Sequence, residues 1–493
     1  MRIKIIFIAV FIFCIYSAAG AEELIHVPAA IQISSTVSDG EYSISQIIEI
    51  ARKNGMKGVI LTDRNLMRWE YGVWPLRNII KKTIEGHSIF KYGIKRYFAE
   101  VEDLETKNKD IIVMPAMEVA PFYFWKGSLL RGDFKIMDWH KHFLVMGLDK
   151  FSDIAHLPVT GNIGGLTLPF RIVNIFYFLI PLLIIFLGVI SIRRRVFNYR
   201  DSFGNNLGPY SRRFQYFGTA LILSGLLFLF NNYPFKDLRF DQYHGDLAVM
   251  PYQNFIDYAK SRGAAVFWSH PEAENISQQG MVGIETREHT DYLLKTNGFT
   301  GFAYFYEGSR KVGNIGGIWD EILKRYCQGM RSQPVWAIAG LSFDYYGDLD
   351  KYMRDLRTVF LLRSFNKAGL LEALKKGRMY VLNGSGSLEF ILDKFSVSDN
   401  VDKIQEALMG DEIQLINKPN IKISGHFISG INNKMAIKLI KNGRVIREFE
   451  VATPFDISYT DDSGIEGNKA YYRLEAESDN LKLISNPIFV RRE

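Results

Sequence analysis

Residues 34–64 read SSTVSDGEYSISQIIEIARKNGMKGVILTDR, and this stretch decides how the chain is organised. Ile44, Ile47, Ile48 and Ala51 fall on one face of a helix spanning 43–54. Ser43 is placed to cap its start, Gln46 three residues on completes a capping box, and Gly55 ends it. The run GVILT at 58–62 is apolar throughout, so it reads as a buried strand, and it stops at Asp63. A strand at 29–34 precedes the unit. The local order is therefore strand, polar loop, amphipathic helix, buried strand, with charged residues at the strand end.

The same alternation extends outward. Strands are expected at 111–114, leading to Glu118, and at 142–146 (HFLVM). Farther on come a helix at 252–262, a strand at 264–269 ending in His270, strands at 301–306 and 335–339, and helices at 319–326 and 367–376. Polar residues gathered at strand ends suggest a parallel α/β barrel or sheet with a pocket at the carboxyl face. From about 396 the apolar period becomes two, and Asn442-Gly443 joins two alternating runs as a hairpin turn. A small antiparallel β-sandwich over 396–493 is the expectation.

Three apolar segments sit outside this pattern. Residues 1–21 have a basic start at Arg2 and Lys4, an apolar run over 5–16 and small residues 19–21, the layout of a secretory signal. Runs at 172–190 and 214–230 are long enough to cross a bilayer, and Pro181 is tolerated there. Their connector, 193–213, holds six arginines against Asp201 alone, which places it in the cytoplasm. The reading is a transmembrane hairpin over 166–235 that interrupts one exported unit, with halves at 22–165 and 236–395. Both flanks then lie outside a bacterial-type cytoplasmic membrane, in the periplasm.

Net charge follows from this topology. The formal +7 is accounted for by the signal and the connector, so the remainder is neutral and nucleic acid is not an expected partner. Cys14 and Cys327 are the only cysteines, and removal of the signal leaves one, so the exported parts depend on ordinary cores.

The order of motifs over 28–385 resembles the PHP family, the polymerase and histidinol phosphatase metallo-phosphoesterases. Residues 34–64 are similar to its opening segment. MPAMEVAP (114–121) resembles its Gly-x-Glu strand, HFLVMG (142–147) its His strand and FWSHPE (267–272) its Ala-His-Pro turn; AIAGLSFDYYG (337–347) falls at its terminal Asp-x-His. LLEALKKGRMYVLNG (370–384), followed by a sandwich ending ISNPIFV, is similar to a two-domain subgroup. The resemblance implies a distorted (β/α) barrel binding two or three metal ions. Here Gln32 and Ser34 stand where the family has His-x-His, Arg64 where it has the Thr-Asp-His histidine, and Ser342 and Asp344 where it has Asp-x-His.

What the resemblance leaves is one mononuclear set: Glu118, His142 and His270. Two imidazoles and a carboxylate suit Zn²⁺, Mn²⁺ or Fe²⁺, and such an ion acidifies water and polarises a phosphoryl oxygen. Asp344 and Asp63 are candidate catalytic carboxylates. Arg64 is a candidate phosphate clamp replacing a lost ion. Asp39 supports these from a second tier, and His140, in an H-x-H pair with His142, offers an alternative ligand. The aromatic run 122–125 suits a pocket wall or a headgroup layer equally. His289, without a motif around it, is expected on the surface.

Three functions remain open on sequence alone. One is a membrane-anchored metal-dependent phosphoesterase acting on a phosphorylated or lipid-linked envelope substrate. The second is a catalytically inactive relative, without metal, serving as a scaffold or binding module, with a membrane protein as partner. The third is a transporter or channel component. If the hairpin leaves from a strand-to-helix connection, the pocket mouth faces the bilayer.

Overall fold

The computed structural model describes residues 24–128, 131–165, 172–197, 199–205, 208–233, 239–343, 347–385, 387, 390–399, 405–465 and 467–492. The expected signal at 1–21 and Asp344 lie outside the described residues.

The chain is a mixed α/β protein. Its strands are β1 (Ile25–Ile33), β2 (Gly58–Leu61), β3 (Arg68–Gly72), β4 (Lys81–Glu85), β5 (Ile112–Val119), β6 (Phe124–Lys126), β7 (Lys135–Met137) and β8 (Phe143–Met146). After the long apolar helices come β9 (Ala265–Trp268), β10 (Asn275–Gln279), β11 (Val282–Thr286), β12 (Gly301–Phe305), β13 (Trp336–Ala339), β14 (Leu356–Leu362) and β15 (Met379–Asn383).

In the main sheet the order is β13-β12-β9-β8-β5-β2-β1-β14-β15. Residues 341–343, just past β13, return to β1: Leu341 N donates to Ile31 O (2.8 Å) and Ser34 N to Phe343 O (3.0 Å). β1 thus has β14 along its first half and the 341–343 segment along its second. The helix Ile44–Lys53 forms with the capping box expected at Ser43 and Gln46, and it buries Ile44, Ile47, Ile48 and Ala51. Each of the three isoleucines contributes roughly 1.5–3 kcal/mol by leaving water.

Two strands of this order run against the rest: β14, antiparallel to both β1 and β15, and β8. β8 runs antiparallel to both β5 and β9. β2 and β5 are parallel to each other, as are β9 and β12. The apolar run HFLVM reads the same in either direction, so sequence pattern carries no information about the reversal. The structure also adds strands that the sequence reading did not anticipate: a two-stranded ribbon of β3 and β4, and a four-stranded sheet β10-β11-β7-β6.

The C-terminal part is β16 (Phe390–Asp399), β17 (Glu406–Leu408), β18 (Glu412–Leu415), β19 (Pro419–Phe427), β20 (Lys434–Lys441), β21 (Arg444–Ala452), β22 (Phe455–Thr460), β23 (Lys469–Ser478), β24 (Leu481–Ser485) and β25 (Ile488–Arg492). The sheet β17-β16-β19-β22 and the β24-β23-β20-β21 extension of the main sheet contribute to one buried core, which includes Phe395, Ile423, Leu439 and Leu474. β16 begins before the period change at 396, and Tyr380 and Leu382 of β15 belong to the same core. Asn442 and Gly443 have the positive φ values (49° and 75°) that a tight hairpin turn needs. Arg473 of β23 is fully buried and bonds both oxygens of Asp320 on the helix Ile318–Cys327, tying the sandwich to the first unit.

The apolar segments form two helices, Ile172–Ile192 and Arg212–Asn232. Both are long and apolar enough to cross a membrane, and most of their surface is not covered by protein. They lie antiparallel: Ser191 Oγ donates to Phe214 O at one end, and Asn232 Nδ2 to Tyr177 O at the other. Gly188 and Gly218 permit the close approach, since a Cβ on Gly218 would lie 2.5 Å from Gly188 O.

Candidate functional site

Five strand ends and one strand start converge on one point. Arg64 follows β2, Glu118 is the penultimate residue of β5, and His270 follows β9. His142 immediately precedes β8. Because β8 is reversed, its first residue reaches the end of the sheet where the parallel strands finish. Gln32, near the end of β1, and Ser342, past β13, complete the set. Gln32, His270 and Ser342 all take positive φ (66°, 30° and 52°), a conformation costly for side chains of this size. Main-chain bonds fix Arg64 beside Glu118: Glu118 N donates to Asp63 O (3.1 Å) and Asn65 N to Glu118 O (3.0 Å).

Glu118 divides its carboxylate between two sets of partners. Oε1 faces His142 Nδ1 at 3.0 Å and His270 Nε2 at 3.5 Å. Oε2 takes Arg64 Nη1 at 3.0 Å. Arg64 Nε reaches Asp39 Oδ2 at 3.0 Å, and its Nη1 lies 2.8 Å from His142 Nδ1. Burial opposes ionisation of Glu118, but Arg64 and then His142 outweigh it and hold the carboxyl well below its usual range. Asp39 behaves alike: burial raises it, Arg64 more than offsets this, and the net is lowered. Burial, followed by the Arg64 charge, pushes His142 down to about 4, so it is neutral at physiological pH.

The donor set fits a metal ion. The atoms Glu118 Oε1, His142 Nδ1 and His270 Nε2 form a triangle of 3.0, 3.5 and 3.2 Å. Ligands on one face of a tetrahedral ion with bonds near 2.0–2.1 Å are about 3.3 Å apart. His142 Nε2 lies 3.0 Å from Trp139 O, so this nitrogen carries the proton and Nδ1 is left as a lone pair aimed at the carboxylate. A lone pair and a carboxylate oxygen at 3.0 Å repel unless positive charge lies between or beside them. Gln32 Nε2 donates to Ser269 Oγ (2.7 Å) and, more weakly, to Glu118 Oε1 (3.4 Å), bracing the same oxygen.

The remaining candidates are placed as follows. Asp63 is fully buried and accepts from Ser35 N (2.7 Å), Ser35 Oγ and Ser38 Oγ (2.7 Å), so its carboxylate is engaged in holding the loop after β1. Burial raises its pKa against those hydrogen bonds. His140 stacks edgewise on His142 with ring centroids 5.6 Å apart; burial, then His142 and Arg64, drives it down to about 2. It does not join the three-residue metal-ligand group. His289 is not on the surface. It is buried against Trp268 and held neutral by burial and by Lys141. The aromatic run 122–125 is not in a headgroup layer either: Phe122, Tyr123 and Phe124 are buried within the protein. Gln32, Ser269 and Trp139 are the participants that sequence reasoning missed. The only available signal was position, since Gln32 stands at a family ligand position and Ser269 directly precedes His270.

No family model matches this sequence, and no curated protein matches it. Among solved structures the chain is similar to a two-domain protein from Bacteroides vulgatus containing a predicted PHP-like metal-dependent phosphoesterase, at 12% identity and TM-score 0.35, covering 91% of this chain and 90% of that one. It is also similar to a candidate metal-dependent phosphoesterase from Bifidobacterium adolescentis, at 11% identity and TM-score 0.26, covering 64% of this chain and 87% of that one.

Proposed function

We propose that this protein is a membrane-anchored, extracytoplasmic metal-dependent phosphoesterase with a mononuclear site on a distorted barrel. The observation that carries the reading is the triangle of Glu118 Oε1, His142 Nδ1 and His270 Nε2, with the His142 tautomer set by Trp139 O. A divalent ion held there supplies Lewis acidity toward a phosphate ester and its attacking water. Trp139 O orients His142, and Gln32 and Ser269 steady Oε1. Arg64, anchored on Glu118 Oε2 and Asp39, places a fixed positive charge beside the triangle that attracts a phosphate. Asp344 is retained as a candidate carboxylate by its place in the sequence alone.

The anchor is the antiparallel helical pair, oriented by the arginine-rich connector with both large units outside. Its position favours a substrate in or near the bilayer. Although β8 leaves the sheet at the end opposite the site, the chain returns: Thr160 N donates to Pro121 O, just beyond Glu118 in sequence. Asn231, near the end of the second helix, bonds Asn78 on the ribbon that follows Arg64. A phosphorylated headgroup or a lipid-linked sugar phosphate suits such a site.

A second reading is favoured by one observation. Arg64 Nη1 contacts both Glu118 and His142, so a built-in cation already neutralises the cluster, as a binding module without metal requires. Elemental analysis of the full chain in detergent, paired with hydrolysis of an aryl phosphate, separates the two. The expected result is about one transition-metal equivalent, lost together with activity in His270→Ala. A metal-free, inactive and folded wild type selects the binding module.

A further inference from the structure

The ribbon of β3 and β4 ends in an unusual surface. Residues 73–82 read VWPLRNIIKK, with three cations and no carboxylate. Val73, Trp74, Ile79 and Ile80 are all exposed, Trp74 by 76%, and every residue of β4 is exposed, including Ile84. A cluster of large apolar side chains beside lysines is costly in water and indicates a partner. The ribbon is not a loose loop. Glu70 N donates to Tyr123 Oη (3.0 Å), Trp125 Nε1 to Glu70 O (2.9 Å) and Gly72 N to Tyr243 Oη (2.7 Å). Its aromatic root packs Trp69 against Trp125 and Trp139.

What covers the tip follows from where it is tied. Asn231, in the last turn of the helix Arg212–Asn232, accepts from Asn78 N (3.0 Å) and donates to Pro75 O (3.3 Å); Asn78 Nδ2 donates to Asn231 O (2.7 Å). A spanning helix ends at the bilayer surface, and Asn231, Asn232 and the exposed Tyr233 are residues of that boundary. The ribbon tip is therefore fastened at the height of the lipid headgroups.

We propose that the tip of the β3–β4 ribbon is a second, monotopic membrane contact, in which Val73, Trp74, Ile79 and Ile80 enter the outer leaflet. Lys82 meets its phosphates, while Lys81 pairs with Glu70 and Arg77 lies over the Tyr243 ring. This surface rests on the membrane-anchored reading of the helical pair. It adds a fixed lipid contact continuous with the segment that begins at Arg64, so the site is held against the surface from which it would draw a phosphorylated lipid.

Tryptophan fluorescence tests it in the full chain, because neither apolar helix contains tryptophan and the other six tryptophans are buried or half-buried. The wild type and Trp74→Phe are reconstituted in phosphatidylcholine–phosphatidylglycerol nanodiscs, with and without bromine on the acyl chains. The expected result is quenching of wild-type emission by brominated lipid and loss of most of it in Trp74→Phe. Equal quenching in both proteins, or none in either, overturns the ribbon contact when carbonate-resistant membrane integration shows that the helical pair is inserted. Extraction of the wild type by carbonate instead overturns the membrane reading itself, and the ribbon contact with it.

Discussion

Replacing Arg64 with methionine tests the site most directly, because Arg64 already supplies the charge that an ion would supply. Its Nη1 lies 3.0 Å from Glu118 Oε2 and 2.8 Å from His142 Nδ1, and its Nε is 3.0 Å from Asp39. Unit charges 3 Å apart attract by about 5 kcal/mol at an effective dielectric of 20. A divalent ion entering the Glu118–His142–His270 triangle must share the Glu118 charge with Arg64 and tolerate its repulsion. If only half of that attraction is returned to the ion, its affinity rises by roughly 100-fold. The metal-free variant should meanwhile lose about 3–5 kcal/mol, since Glu118 and Asp39 are left without their cation. Arg64→Met is therefore expected to bind Zn²⁺ or Mn²⁺ more tightly in a chelator competition. It should also melt lower than wild type without metal and gain more on metal addition. A variant that binds no tighter than wild type, with an unchanged melting temperature, refutes the idea that Arg64 and an ion compete for one carboxylate.

Other perturbations follow from the same structure. Arg473→Met removes the fully buried partner of Asp320 and should cost about 3–5 kcal/mol in denaturant unfolding, because among the described residues Asp320 then keeps Tyr471 and Gly316 N but no cation. The pKa of His142 is about 4 in the folded chain against 6.5 unfolded, so the unfolded state binds the extra proton between these values. Stability is full above pH 6.5 and is lost as pH falls through 4, by roughly 3 kcal/mol from this residue in metal-free protein, measurable as a pH-dependent melting series. Gly218→Val places a branched side chain where even a Cβ would be 2.5 Å from Gly188 O, so the helices must separate. Cysteine cross-linking between positions 177 and 232, efficient in the parent, should fall in that variant.

Local elements and the inventory of the candidate site are legible in the order of residues alone. The capped helix Ile44–Lys53 was legible because capping and period depend on neighbours within a few residues. The Asn442-Gly443 hairpin was legible for the same reason. Glu118, His142 and His270 were picked out by motif order, and the two long apolar helices by length and composition. Strand direction and contacts between distant segments emerge only when the chain is folded. An apolar strand has the same period read either way, so the reversal of β8 was invisible in sequence, although it is what carries His142 to the site. The reach of the Arg64 guanidinium to Glu118, Asp39 and His142 depends on three separate loops meeting. The burial of His289 and of the 122–125 aromatics likewise reflects packing by segments far along the chain. Spacing records which groups are available, but the relative placement of strand ends settles which of them share one charge.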